Sequence, residues 1–79
     1  MNLERFEAQR GADWERLAGL LERARSKRGR RRLGAAGLLE LGALYRGSAA
    51  DLAYARRRFP GDPVVARLEA LVTRGRTPP

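Results

Sequence analysis

The sequence contains no cysteine and no histidine. These absences exclude disulfides, zinc sites built from Cys and His, and the imidazole that enzymes most often use as a general base. No apolar run approaches the roughly 18 residues that a transmembrane helix needs, and the charged opening MNLERFEAQR lacks the composition of a secretory signal peptide. Lack of cysteine fits a reducing compartment, so we expect a cytoplasmic protein without a metal or cofactor.

Aromatic residues are also few, with two Phe, two Tyr and one Trp among 79 residues. A chain of this length forms one domain at most and buries only about 60% of its unfolded surface, so its stability is marginal. Generous apolar faces in such a small domain suggest oligomerisation or a partner helix. We therefore expect a protein partner or a homo-oligomer that contacts the helix faces.

Positive charge, in contrast, is abundant: 17 Lys and Arg stand against 9 Asp and Glu, a formal net charge of +8. Lys27 is the single lysine, so nearly all of this charge is carried by arginine. Such an excess favours anionic partners, among them phosphate backbones and acidic lipid headgroups. The alternative is a protein whose solvent-exposed faces happen to be rich in arginine.

The first helix is predicted over residues 3–25. Asn2 is a suitable N-cap, and acidic residues follow in the first turns, where the helix dipole favours them. Apolar residues lie close to one stripe of this helix: Phe6, Trp14, Leu17, Leu21 and Ala24. Gly11 interrupts the pattern, which predicts that the first ten residues form a separate or frayed turn.

A second helix is predicted over residues 36–59, where apolar residues recur every seven positions. This seam consists of Leu38, Tyr45, Leu52 and Phe59, with Leu41, Ser48 or Ala49, and Ala55 in the second position. The spacing resembles that of a coiled coil and favours packing beside the first helix at a shallow angle. Pro60 ends the helix, and Gly61 supplies a turn.

A third, short helix is predicted over residues 63–74. Asp62 is its N-cap, Pro63 occupies the first position, and Gly75 marks the end before a polar tail at 75–79. No segment alternates with period two for long enough to form a strand. We therefore predict an all-α fold, a small three-helix bundle of two long antiparallel helices plus a short C-terminal helix. The predicted buried set is Trp14, Leu17, Leu21, Leu38, Leu41, Tyr45, Leu52, Phe59, Leu68 and Leu71.

The stretch RSKRGRRRLGAAG, residues 25–37, raises the main functional question. Residues 26–35 are predicted to form a flexible loop because Gly29 and Gly34 interrupt them. The cations here are candidate contacts for an anionic surface and would act as mobile charges that do not read sequence: Arg25, Lys27, Arg28, Arg30, Arg31 and Arg32. The alternative is a solvated connector. A second arginine cluster, 56–58, should lie at the opposite end of an antiparallel hairpin.

No convincing active site is present in the sequence, and we predict that the protein is not an enzyme. The two glycines of GRRRLGAA have phosphate-loop spacing, but the Lys-Ser/Thr pair that should follow is missing and no strand precedes them. Tyr45 and Tyr54 fit a core better than a role as acids. Asp51 lies beside the seam, where we expect it to pair with an arginine of the first helix.

The segment LLELGALYRGSAADLAYARRRFPGDPVVARLEALVTR, residues 38–74, resembles the N-terminal cytoplasmic region of the stage II sporulation protein M family of bacterial membrane proteins. The matching pattern is Leu-x-x-Leu-x-x-x-Tyr-Arg followed by Ala-Asp-Leu-Ala-x-Ala-Arg. It corresponds here to Leu38, Leu41, Tyr45, Arg46, Ala50, Asp51, Leu52, Ala53, Ala55 and Arg56. The opening also looks like that of the family, where a Phe is followed by a Trp-x-x-Leu helix, here Phe6, Trp14 and Leu17.

The resemblance implies a role in a membrane-associated system and implies no catalytic residues. Proteins of that family continue into several transmembrane helices, whereas this sequence reaches Pro79. An excised domain, a truncated gene product and a free-standing relative all stay open. We expect a non-enzymatic interaction domain, either at the cytoplasmic face of a membrane or docked onto a larger protein assembly. The alternative is a small basic protein that associates with nucleic acid or the ribosome.

Overall fold

The computed structural model describes residues 1–76 and consists of three helices. They are α1 (Leu3–Arg23), α2 (Lys27–Arg58) and α3 (Pro63–Arg76), and this part of the chain contains no strand. Contacts between α1 and α2 pair Arg10 with Asp51 and Arg16 with Glu40, so the two helices run antiparallel. The short α3 packs against both of them. The predicted all-α three-helix bundle is confirmed.

Helix α1 begins where its cap predicts and is continuous. The Asn2 side chain accepts a hydrogen bond from the backbone N–H of Arg5 at 2.8 Å. The predicted break near Gly11 is wrong, because the helix passes through this residue without interruption. Phe6, one turn before Gly11, is buried in the core and holds the first turns in place, which outweighs the low helix propensity of a single glycine.

The predicted second helix is present as the long segment 35–58 of α2, but the loop assigned to residues 26–35 is wrong, because a helical segment precedes the break at Gly34. Ser26 caps the helix by accepting a hydrogen bond from the backbone N–H of Gly29 at 2.9 Å, and residues 27–33 are helical. At Gly34 the backbone has φ 66° and ψ −175°, which introduces a kink before the long segment 35–58. Arginine is a good helix former, and a serine cap suffices to start the helix.

The turn between α2 and α3 follows the sequence prediction. Gly61 adopts a positive φ of 81°, and the side chain of Asp62 accepts a hydrogen bond from the backbone N–H of Val64 at 2.8 Å. Pro63 is the first residue of α3. The predicted end at Gly75 is wrong, because the helix continues to Arg76 and Gly75 lies directly against the ring of Tyr45. The rest of the predicted tail, 77–79, lies outside the described residues.

Most of the predicted core is confirmed. The buried members are Trp14, Leu17, Leu21, Leu52, Leu68 and Leu71, while Leu41, Tyr45 and Phe59 are partly buried and pack against them. The prediction that Leu38 is buried is wrong, because 47% of this residue is exposed. Leu38 lies two turns before Tyr45, the seam residue that Gly75 of α3 contacts, so the described part of α3 does not cover it. Leu20 is buried and was not predicted.

Candidate functional site

The basic residues at the start of α2 form an ordered exposed face. Residues three and four positions apart share one side of a helix, which brings Lys27 and Arg28 together with Arg31 and Arg32. All four are exposed, whereas Gly29, Arg30 and Leu33 are partly buried on the opposite side. We call the four exposed cations the basic junction, because they lie where α1 meets α2.

The buried side of this segment is fixed against the end of α1. A Cβ on Gly29 would overlap the backbone carbonyl of Arg23, so only glycine permits this close approach. The guanidinium of Arg30 donates a hydrogen bond to the carbonyl oxygen of Ala24 at 2.7 Å and thereby satisfies an acceptor at the C-terminus of α1. The structure therefore corrects the prediction for Arg30, which has a structural contact and is not a mobile charge.

Arg25, another candidate, is engaged locally. Its guanidinium pairs with Glu22 at 3.3 Å, and Glu22 also lies 3.7 Å from Arg74 of α3. Both partners of the first pair are well exposed, so this contact is worth little energy. Five of the six candidates have no carboxylate at ion-pair distance among residues 1–76, and four of these five form the basic junction, since Arg30 is bound to the carbonyl of Ala24.

Arg23 joins the site and was not predicted. It lines a cleft of about 470 Å³ between the end of α1 and the first turns of α2, together with Arg28 and Arg32. Glu22 is the acidic residue that lines this cleft. The missing signal was the helical character of residues 27–33, because only an ordered segment brings Arg23 of α1 beside residues 28 and 32.

The basic junction is electrostatically unfavourable in the free protein. Its first members lie in the opening turn of α2, which contains no acidic residue and where the helix dipole is positive. Arg28 and Arg32 are also like charges at i and i+4, which repel one another. An anion bound here would relieve both effects, because it would neutralise charge at a helix end that favours negative charge.

Arginines elsewhere are used to join helices. The predicted partnership of Asp51 with an arginine of α1 is confirmed: the Nε of Arg10 donates to its carboxylate at 2.8 Å, and the indole N–H of Trp14 donates to the same oxygen at 2.8 Å. The hydrogen bond to Asp51 raises the pKa of Arg10, and its neighbour Asp13 adds to the effect.

Two further ion pairs connect helices on the surface. Arg16 of α1 makes two hydrogen bonds to the carboxylate of Glu40, at 3.0 and 2.9 Å, which raise the pKa of Arg16 and lower that of Glu40. Arg56 of α2 pairs with Glu69 of α3 at 2.8 Å. Glu40 and Glu69 therefore pair with arginines outside the basic junction.

Four of the five aromatic residues gather near the other end of α2. The Phe6 ring lies 5.3 Å from that of Trp14, 5.2 Å from Tyr54 and 5.6 Å from Phe59, and the guanidinium of Arg67 lies 5.3 Å from the centre of the Trp14 ring. The arginine cluster 56–58 occupies the last turn of α2 beside these rings. As predicted, the two arginine clusters lie at opposite ends of the molecule.

Residues 1–76 contain no group of three or more acidic, Cys or His side chains placed to hold a metal ion. In the same range, no helix combines the length and apolar character that crossing a membrane requires.

Comparisons with known proteins place the chain in a family whose function is undefined. No curated protein and no solved structure matches it. The family described as "Domain of unknown function (DUF8413)" matches residues 4–78, which include the basic junction and all three helices except the first residue of α1. The chain therefore belongs to the DUF8413 family.

Proposed function

We propose that this protein is a non-enzymatic interaction domain that binds an anionic membrane surface, at the cytoplasmic face, through the basic junction. The observation that carries the proposal is the arrangement of Lys27, Arg28, Arg31 and Arg32 on one exposed face, with no carboxylate partner in the described part of the chain. Each basic residue held near an anionic bilayer contributes about 1 kcal/mol of attraction. Four such residues on one rigid face can approach the surface together.

The helical order of residues 27–33 favours binding to an anionic membrane over a role as a solvated connector. A flexible loop loses conformational freedom when it binds, whereas a helical face is already ordered. The contacts of Gly29 and Arg30 with the end of α1 hold the segment in place. The four cations therefore act as one patch and not as independent mobile charges.

The alternative partner is nucleic acid, which the net charge of +8 also favours. Proteins that bind single strands usually stack bases on aromatic side chains beside the cations. Here Phe6, Trp14, Tyr54 and Phe59 pack on one another at the opposite end of α2 from the basic junction. This separation favours a lipid surface, where attraction to headgroup charge is sufficient.

The resemblance to the stage II sporulation protein M family adds support for a membrane location, and it stays a prediction. DUF8413 has no defined function and adds nothing to the choice of partner. Docking onto a larger protein assembly is compatible with the same domain, because the basic junction occupies only one end of the molecule.

The test compares two variants that remove equal charge. Arg28→Gln/Arg31→Gln/Arg32→Gln removes three cations of the basic junction, and Arg5→Gln/Arg57→Gln/Arg58→Gln removes three exposed cations at the other end of the bundle. Glutamine preserves helix propensity. Binding to vesicles with 30% acidic phospholipid is measured by flotation at about 0.1 M salt, with neutral vesicles and a 20-base-pair duplex as parallel arms.

We expect the junction variant to lose on the order of 100-fold in affinity for acidic vesicles, from about 1 kcal/mol for each lost cation. The matched control should lose much less. Equal losses in the two variants would mean that net charge alone drives binding. Tighter binding to the duplex than to acidic vesicles would replace the membrane by nucleic acid as the partner.

A further inference from the structure

The cleft between α1 and α2 divides the cations at this end of the molecule into two groups. Its walls, which enclose about 470 Å³, carry Arg23 of α1 together with Arg28 and Arg32 of α2. We call these three the cleft arginines. Lys27 and Arg31, the other two members of the basic junction, do not line the cleft. One group therefore converges on a concavity, whereas the other lies on the open surface.

The backbone fixes where the cleft arginines lie. Arg28 and Arg32 are four residues apart within the helical segment 27–33, so their Cβ atoms are about 6 Å apart on one side of α2. Arg23 is held beside them because Gly29 approaches its carbonyl so closely that a Cβ would overlap it. A ligand that enters the cleft therefore has to order side chains only, which lowers the entropic cost of binding.

The positive charge of the cleft is not neutralised within the described residues. None of the cleft arginines has a carboxylate at ion-pair distance there. Glu22, the acidic residue on the wall, lies 3.3 Å from Arg25 and 3.7 Å from Arg74, so cations outside the cleft offset its charge. Arg30 donates to the carbonyl of Ala24 and in the same way offsets the negative end of the α1 dipole. The cleft is therefore suited to an anion.

The number of arginines indicates which anion fits. Guanidinium groups bind phosphate oxygens in pairs, and arginine is the side chain best matched to that geometry. A phosphomonoester offers three such oxygens and carries a charge of about −1.5 to −2 at neutral pH. A phosphodiester, as in most phospholipids and in nucleic acid backbones, has two free oxygens and a single charge. Three converging guanidiniums therefore favour the monoester.

The remaining walls suit the organic part of such a molecule. The hydroxyl oxygen of Ser26 accepts from the backbone N–H of Gly29, which leaves its proton free to donate to a ligand oxygen. Leu33 adds an apolar wall. The volume falls within the range of about 300–1,000 Å³ that is typical of small-molecule sites, so the cleft has room for more than a bare phosphate.

We propose that the cleft binds a phosphomonoester, and that the cleft arginines thereby select among anionic headgroups. This inference rests on the proposed function, because Arg28 and Arg32 belong both to the cleft and to the basic junction. It assigns selectivity to Arg23, which lies outside the basic junction, and only general attraction to Arg31. A lipid headgroup and a soluble phosphate ester share this chemistry, and the experiment distinguishes the two sources.

The first measurement compares vesicles of similar surface charge. They contain about 15% phosphatidic acid, a monoester with about two charges, or about 30% phosphatidylglycerol, a diester with one. Flotation is carried out at about 0.1 M salt and about pH 7.5, above the second pKa of a phosphomonoester, which is about 6. The proteins are the full chain and the variants Arg23→Gln and Arg31→Gln, each of which loses one exposed cation.

We expect the unmodified protein to bind phosphatidic acid vesicles about tenfold more tightly than phosphatidylglycerol vesicles. Arg23→Gln should reduce this preference to about twofold or less, because it removes one of the three guanidiniums of the cleft. Arg31→Gln should weaken binding to both kinds of vesicle by similar factors and keep the preference, because it removes general attraction alone.

The second measurement tests a soluble source. Glycerol 3-phosphate, a monoester, and glycerophosphoglycerol, a diester, are titrated into the full chain, and the Nε–H signals of the arginines are followed by NMR. We expect the monoester to produce saturable shifts at the cleft arginines but not at Arg31 or Arg57, and the diester to produce none. Such shifts without a preference for phosphatidic acid vesicles would support the phosphomonoester and assign it to a soluble molecule.

Two outcomes would overturn this inference and leave the proposed function standing. One is equal binding to the two kinds of vesicle together with no saturable shift at the cleft arginines. The other is a preference for phosphatidic acid that Arg23→Gln retains in full, because the cleft would then not be its origin. Failure to bind either acidic vesicle would instead overturn the proposed function, and the glycerol 3-phosphate titration would still decide whether the cleft binds a phosphomonoester.

Discussion

At the scale of single residues, Asp51 fixes how α1 and α2 meet. Its carboxylate is only 13% exposed and accepts from both Arg10 and the indole of Trp14, which lie one turn apart on α1. A carboxylate that satisfies two donors from the facing helix defines both the separation and the register of the pair. The apolar seam alone would tolerate a shift of one turn, because leucine contacts are not directional.

Replacing Asp51 should show its two functions separately. Asp51→Ala leaves the buried indole N–H without an acceptor and Arg10 without its partner, so we expect a loss of about 2–4 kcal/mol in unfolding free energy. Asp51→Asn keeps an acceptor oxygen and should cost roughly half as much. Urea unfolding followed by the fluorescence of Trp14 measures both. Asp13→Ala, which removes only the exposed partner of Arg10, serves as the control and should cost less than about 1 kcal/mol.

Ser48 is the opposite case, a buried polar group that the fold does not use. It is fully buried, and its hydroxyl oxygen makes no hydrogen bond among the described residues. Ser48→Ala removes an unsatisfied hydroxyl and improves helix propensity, so the unfolding free energy should rise by about 0.5–2 kcal/mol. Thermal and urea unfolding of the variant measure the change. A loss of more than 1 kcal/mol would mean that the hydroxyl has a partner.

At the scale of the helices, the kink at Gly34 separates the basic junction from the long part of α2. With φ 66° and ψ −175°, this residue occupies a region that is accessible essentially to glycine alone. Gly34→Ala should therefore destabilise the protein by about 1–3 kcal/mol, even though open space surrounds the position.

A second glycine provides the control for this prediction. Gly19 lies in the exposed interior of α1, also with open space around it, so Gly19→Ala should stabilise by up to about 1 kcal/mol through helix propensity alone. Circular dichroism with thermal unfolding distinguishes the two variants. If Gly34→Ala stabilised as much as Gly19→Ala, α2 would have to run straight through residue 34.

Local signals predicted the helices better than they predicted the site. Asn2 and the Asp62–Pro63 pair define helix starts through contacts within three residues, so sequence alone locates them. The helical segment 27–33 was not predicted, because Gly29 and Gly34 indicated a loop and the cap at Ser26 was not recognised. The exposure of Leu38 depends on which part of α2 packs against α3. This is a tertiary contact between distant parts of the chain, so the local sequence does not predict it.

The free cations of the basic junction were also only partly predictable. Composition identifies the cluster, and its alternation of exposed and buried positions follows once residues 27–33 are known to be helical. Two of the six candidates are not free cations, because they contact residues at the end of α1. Arg30 donates to the carbonyl of Ala24, and Arg25 pairs with Glu22. Arg23 joins the site through packing that no local pattern indicates.

At the scale of the whole molecule, charge is distributed unevenly along a body about 39 Å long. The cluster at the start of α2 opposes its helix dipole, whereas 56–58 at the end of the same helix favours it. The two clusters carry the same sign of charge and should therefore have opposite effects on stability. The cluster that opposes the helix dipole is the basic junction, and it lies at the end of the molecule that we propose to contact a membrane.

Two charge-matched double variants test this asymmetry. Arg28→Gln/Arg31→Gln relieves repulsion at the positive end of the dipole and should raise the unfolding free energy by about 0.5–1 kcal/mol at low salt. In a domain of this size that corresponds to a Tm increase of roughly 2–8 °C. Arg57→Gln/Arg58→Gln removes favourable charge from the last turn and should lower Tm, even though the overall charge falls by the same amount. Both differences should shrink in 0.5 M NaCl, because the exposed charges are then screened. Equal increases in Tm for the two variants would show that total charge alone destabilises the protein, and the basic junction would then be no more strained than the opposite end.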